Sequence, residues 1–209
     1  MKNHLLSLLT ACAFTTAGGA CSSQTSTPNT SSTSEPSAAG QTAQADLLIY
    51  DETANGIPVT AQYPNTMRVM GTGSGEGVGV FFTFKSQGSG LDDAEVHVFL
   101  PSGAASAEEL EPFVTGPNGL MANNGWVEKG VEEGGSERFP SGWVEKVIDF
   151  STDMEQSGHI LLGQANGQAV QVTLLYPAEM AEAYWPAATS VLESLQFDGD
   201  LLPIRASNR

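Results

Sequence analysis

The chain has 209 residues, 40% of them hydrophobic, and a formal net charge of -16. Such a surface repels the phosphates of nucleic acids and anionic lipid headgroups, so no nucleic-acid partner is expected; divalent cations or basic protein surfaces suit it better. Both cysteines, Cys12 and Cys21, lie in the first segment, which leaves the rest of the chain without a disulfide framework, a cysteine zinc site or a cysteine nucleophile.

Lys2 and His4 precede an apolar run over residues 5–17. That run is too short for a bilayer span of roughly 20 residues and reads as the core of an export signal. Gly18, Gly19 and Ala20 then lead to Cys21, as in a bacterial lipobox, where the cysteine is lipidated and becomes the new N-terminus. The expected organisation is a lipoprotein signal over residues 1–20 and a lipidated Cys21. A lipobox at Cys12 after Leu9-Thr10-Ala11, and an ordinary secretory cut after Ala20, are the alternatives. Residues 22–45 are rich in Ser, Thr, Pro, Gln and Ala and cannot bury enough surface to offset their ordering entropy, so a disordered tether is expected there. Residues 46–205 then form one domain, within the size of a single core.

Within it, residues 47–50 are a short apolar run, Asn55-Gly56 is a turn signal, and Ile57, Val59, Ala61 and Tyr63 alternate on one strand face. Pro58, with no N–H to donate, marks a strand start or an edge. The stretch GTGSGEGVG from Gly71 to Gly79 lacks the last glycine of a dinucleotide fingerprint and has no Gly-Lys-Ser/Thr; it reads as a flexible inter-strand loop. Val78, Val80, Phe82 and Phe84 share one strand face, and residues 86–90 form a loop. In the next strand Ala94, Val96, Val98 and Leu100 point inward, with Glu95, His97 and Phe99 opposite. Ser106 and Glu109 are spaced as a capping box for a helix over residues 107–113, which Gly116-Pro117-Asn118 breaks; residues 119–123 make a short second turn.

The pentapeptide GWVEK occurs twice, beginning at Gly125 and at Gly142. If the chain reverses near Gly134, the two copies run antiparallel and Trp126 can face Trp143, a candidate aromatic contact surface; the alternative is that the two tryptophans pack on a sheet face and the repeat is chance. The strand over residues 144–150 places Val144, Ile148 and Phe150 on one face, interrupted by Lys146. A hairpin follows around Asn166-Gly167, with Ile160 and Leu162 on one arm and Val170, Val172 and Leu174 on the other. The last helix is expected in two parts, a turn over residues 178–184 and a main helix over residues 186–195 that starts at Pro186 and carries Ala188, Val191, Leu192 and Leu195 as its apolar stripe. Phe197 plugs its end, and residues 201–204 pack briefly.

The order of these elements resembles the PsbP-like family, which includes the extrinsic photosystem II protein and its cyanobacterial lipoprotein relatives. The resemblance rests on Asn55-Gly56 before a strand ending Tyr63-Pro64, the Val/Phe strand, the Val-x-Val strand followed by SAEEL at residues 106–110, and the closing strand–turn–strand–helix that ends Ser-Leu-x-Phe at residues 194–197. Met67 stands where the family has a tryptophan, and Val147-Ile148 replaces a tyrosine-rich strand. The resemblance implies an α+β fold, an antiparallel sheet flanked by helices as an α/β/α sandwich, and a non-enzymatic accessory or assembly role.

No catalytic, cofactor or metal motif stands out. His97 and His159 are the domain's histidines, and neither lies in a nucleophile elbow, so each is expected to be a surface or hydrogen-bonded histidine. The acidic groups at residues 92–95, 108–111, 132–133 and 198–200 lack EF-hand spacing and are expected to be solvated. The expected function is therefore an exported, lipid-anchored, non-enzymatic accessory or binding protein that contacts a membrane-associated complex. It would sit in the cell envelope facing the periplasm, or the thylakoid lumen in a photosynthetic organism. The alternatives are an envelope ligand carrier using a cavity between helix and sheet, and a hydrolase in which His97 or His159 joins a carboxylate and a hydroxyl in a deep pocket.

Overall fold

The computed structural model describes residues 46–84 and 94–199. The expected signal, Cys21, the tether, the loop over residues 86–90, Asp92, Asp93, Asp200 and the segment over residues 201–204 lie outside the described residues. In chain order the elements are β1 (Leu47–Asp51), β2 (Val59–Pro64), β3 (Met67–Ser74), β4 (Gly77–Phe84), β5 (Ala94–Pro101), α1 (Ala107–Thr115), α2 (Leu120–Asn124), β6 (Val127–Glu133), β7 (Val144–Ser151), β8 (Gln156–Ala165), β9 (Gln168–Pro177), α3 (Ala181–Ser194) and β10 (Gln196–Phe197).

Period-two alternation places valine, leucine and phenylalanine on one side of successive strands, and the strands pair antiparallel into a seven-stranded sheet of order β3-β4-β5-β9-β8-β7-β6. On one face Val80, Phe82, Val96, Val98, Leu100, Val172 and Leu174 are wholly buried, and α3 lies across them with Tyr184, Ala188 and Val191. Each such side chain contributes about 1.5–3 kcal/mol by leaving water. A three-stranded sheet, β1-β2-β10, joins this core through Val59 and Ala61. On the other face α1 and α2 set Leu110, Val114 and Met121 over Ile148, Phe150, Ile160 and Leu162. The fold is therefore α+β, with an antiparallel sheet and helices on both faces. Among the described residues no helix is long and apolar enough to cross a membrane.

Local signals are realised where side chains enforce them. Ser106 Oγ accepts the Glu109 N–H at 3.2 Å, and Glu109 Oε2 accepts the Ala105 N–H at 2.9 Å, so the expected cap starts α1. Asn166 and Gly167 have φ of 52° and 78°, the pair of positive values a two-residue hairpin turn needs.

Three expectations are corrected. The glycine-rich stretch is a β-hairpin, since residues 71–79 belong to β3, its tight turn and β4. Gly71 answers crowding: a Cβ there would lie 2.5 Å from the Tyr50 hydroxyl and from Ile57 Cδ1. In β7 the register shifts between Val144 and Lys146, and the bulge turns Val144 to the α3 face, where it joins Val147, while Ile148 and Phe150 face α1 and α2. Lys146 stays beside them because Glu111 Oε2 and Glu133 Oε1 bind its Nζ at 2.5 and 2.9 Å. Finally, α3 does not begin at Pro186 but runs through it. Glu182, whose carbonyl loses its donor to Pro186, and Pro186 itself are both exposed, so water can replace the missing hydrogen bond.

Two substitutions test this packing. Gly158 pairs with Phe150, whose ring covers it, and a Cβ there would also meet the Leu174 carbonyl oxygen at 2.7 Å. Gly158→Ala is expected to lower unfolding free energy in urea by about 1–3 kcal/mol; an unchanged midpoint would show that the ring lies elsewhere. The Tyr50 hydroxyl is buried with no hydrogen-bond partner among the described residues. Tyr50→Phe is therefore expected to keep or raise stability by up to about 1 kcal/mol, where removing a bonded hydroxyl would lower it.

Candidate functional site

The alternation that faces β7, β8 and β9 toward α3 also brings polar groups to that face. Asp149 of β7 is the register partner of His159 of β8. His159 Nδ1 lies 2.7 Å from Asp149 Oδ1, and Nε2 lies 3.2 Å from the Tyr176 hydroxyl. With Nδ1–H donated to Asp149, Nε2 is the acceptor for the phenol. Trp185, from α3, packs edge-on against the Tyr176 ring with centroids 5.3 Å apart.

The connection over residues 134–143 closes this network from above. Arg138 Nη2 donates to both Asp149 oxygens at 3.1 and 3.0 Å and to Glu132 Oε1 at 2.6 Å. Ser136 Oγ donates to Glu132 Oε2 at 2.6 Å; this bond, ahead of Arg138, holds the Glu132 carboxyl below its ordinary value. Phe139 is 5% exposed, with its ring 5.5 Å from that of His159 and 6.1 Å from that of Trp185.

His159 thus meets a carboxylate and a hydroxyl, but in a closed place. His159 and Tyr176 are each 8% exposed, and the rings of Phe139 and Trp185 pack against the imidazole. Burial raises the Tyr176 phenol above its ordinary value. A nucleophile needs the opposite shift and a path for substrate. The Tyr184 hydroxyl, raised well above its ordinary value by burial, donates to the Glu95 carbonyl at 2.7 Å and is equally committed.

Beside the network a cleft of about 300 Å³ opens between α3 and the sheet. Val144 and Leu161 form its floor; Trp185, Thr189, Leu192 and Glu193 form the helix wall; Arg138, Phe139 and Trp143 stand on the connection side. His159 does not line it. Trp143 meets Phe197 edge-on at 5.7 Å, and its buried indole N–H has no hydrogen-bond partner among the described residues.

The two tryptophans of the repeat do not face one another. The β6–β7 hairpin pairs Val127 with Ser151 and Glu133 with Lys146, which puts Trp126 and Trp143 at its opposite ends. Trp126 stacks on Phe150 at 4.2 Å on the α1 side, whereas Trp143 belongs to the α3 side. The expected aromatic pair is therefore split, and Trp143 instead shares a site with Trp185 and Phe139. Sequence reasoning missed Arg138, Phe139, Asp149, Tyr176 and Trp185. The usable signal was the positive, aromatic Arg138-Phe139 pair inside a segment otherwise rich in glycine, serine and glutamate.

His97 lies on the other sheet face, in a row formed by Met70, Phe81, His97 and Thr173 on adjacent strands. Its ring stacks on Phe81 at 3.9 Å with 6° between planes. Among the described residues, no three of His, Cys, Asp and Glu are grouped so as to hold a metal ion.

No protein-family model matches the chain, and no curated protein matches it. Among solved structures it is similar to the solution structure of cyanobacterial PsbP (CyanoP) from Synechocystis, at 15% identity over 76% of this chain and 96% of that one, with a TM-score of 0.48. It is also similar to the Saccharomyces cerevisiae Ran-binding protein Mog1p, at 10% identity over 76% of this chain and 100% of that one, with a TM-score of 0.47. At these identities and TM-scores the likeness is one of overall chain arrangement.

Burial pushes the His97 imidazole down to about 4. The unfolded histidine takes up its proton near pH 6.5, before the folded one does, so its contribution to stability is present above that value and is lost as pH falls toward 4. Between pH 6.5 and 4, urea unfolding is expected to lose on the order of 2–3 kcal/mol less stability in His97→Phe than in the parent, the carboxylates contributing equally to both. Identical slopes in the two proteins would contradict the half-buried, uncharged placement.

Proposed function

We propose that the chain is an exported, lipid-anchored, non-enzymatic binding or accessory protein that docks a membrane-associated protein through the cleft beside α3. The observation that carries this reading is the contrast between two neighbouring features. The histidine network is sealed and internally satisfied, while the cleft next to it is open and lined by Phe139, Trp143 and Trp185. Aromatic side chains fixed on a rigid frame are the usual anchors of protein interfaces. The cleft volume is at the bottom of the roughly 300–1,000 Å³ range of small-molecule sites, which favours an inserted side chain over an enclosed ligand. A lipid on Cys21 and a tether over residues 22–45 would keep the domain at the membrane surface, facing the periplasm or a thylakoid lumen.

Site-specific photo-crosslinking tests the docking face. A photoreactive residue in place of Thr189, on the cleft wall, is expected to capture a discrete membrane protein, and one in place of Phe113, exposed on α1, is not. Capture from position 113 alone, or from neither, would refute the docking face. Fractionation tests the anchor: the full chain is expected in the membrane pellet and Cys21→Ser in the soluble extract. Pelleting of Cys21→Ser but not Cys12→Ser would move the lipid to Cys12.

A further inference from the structure

The cleft has a charge pattern that narrows what it can hold. Its one lining cation, Arg138, already serves Asp149 and Glu132, two carboxylates for one guanidinium. Glu193, exposed on α3, lines the opposite wall and makes no ion pair or hydrogen bond with the described residues. The site is therefore left with uncompensated negative charge next to three aromatic rings, in a chain of net charge -16. An anionic occupant would face that charge, and a purely apolar one would leave Glu193 against a dry surface.

Resting on the docking reading above, we infer that the cleft receives the guanidinium of an arginine side chain from its protein partner. Aromatic faces, tryptophan above all, attract cations through the ring quadrupole, and a planar guanidinium both stacks on them and pairs with a carboxylate. Glu193 is the carboxylate in reach; Trp143, Trp185 and Phe139 are the rings; Leu161 and Leu192 accept the aliphatic stem. The stem and head of an arginine together use all of these surfaces, whereas the compact, strongly hydrated ammonium of lysine matches them less well.

The test is a titration of the full-length protein with acetyl-Gly-Arg-Gly-amide, followed by tryptophan fluorescence, beside the same peptide carrying citrulline or leucine. Citrulline keeps the shape of arginine without its charge. The arginine peptide is expected to bind about 5-fold or more tightly than the citrulline peptide. Glu193→Gln is expected to weaken the arginine peptide about 3- to 10-fold and to leave the leucine peptide no weaker, since it removes the charge an apolar side chain would desolvate. Thr189→Glu, which adds a carboxylate to the same wall, is expected to strengthen it, so the inference does not depend on a loss alone. Equal binding of arginine and citrulline peptides, indifference to both variants, or no fluorescence response would each overturn the inference. Should any of these occur while position 189 still crosslinks to a membrane protein, the docking face stands and only its cationic occupant is lost.

Discussion

The burial of Phe139 is the constraint from which the site follows. Residues 134–143 form no regular element, and they are held to the sheet by few contacts: the N–H groups of Gly134 and Gly135 donate to the Glu145 carbonyl at 2.8 and 3.1 Å, the Trp143 carbonyl accepts the Gln164 N–H at 3.0 Å, Arg138 pairs with Glu132 and Asp149, and Phe139 inserts beside His159 and Trp185. The Arg138 side chain is 43% exposed, so its ion pairs are screened and worth no more than about 1 kcal/mol. Burying the Phe139 ring is worth about 1.5–3 kcal/mol. The ring supplies the adhesion and the guanidinium sets the direction. Without the ring in place, the connection loses its apolar contacts with His159 and Trp185.

That arrangement also holds a histidine, a carboxylate and a hydroxyl in line in a closed place. Each group is used to satisfy another: Asp149 accepts from both His159 and Arg138, and Tyr176 donates to His159. A buried polar network of this kind is stable because no member lacks a partner, and it is rigid for the same reason. Rigidity is what a docking surface requires of its frame, since fewer side chains then have to be ordered on binding.

Much of the fold was legible because it depends on local, repeated signals. The inward sets Val80-Phe82-Phe84, Val96-Val98-Leu100 and Val170-Val172-Leu174 repeat at period two, and Asn166-Gly167 fixes the register of β8 and β9. The misreadings each involve an interaction at a distance. Gly71 reads as flexible until Tyr50 and Ile57 crowd it from another part of the chain. The β7 bulge, which turns Val144 away from Ile148, leaves no mark in the composition of the strand. Pro186 reads as a helix start because its exposure, which makes an interior position tolerable, is a tertiary fact. The two GWVEK copies have the same residues but opposite surroundings, so Trp126 covers Phe150 while Trp143 reaches the cleft. The site escaped notice because its members come from five separated stretches of chain, and none carries a motif.

The most direct measurement uses the three tryptophans as reporters of place. In the 15N-labelled full-length protein, their indole N–H resonances are followed as the arginine peptide is added. The account predicts that the signals of Trp143 and Trp185 move together and saturate, while that of Trp126, on the far face of the sheet, stays fixed. Movement of Trp126 alone, or no movement of Trp143 and Trp185, would contradict it.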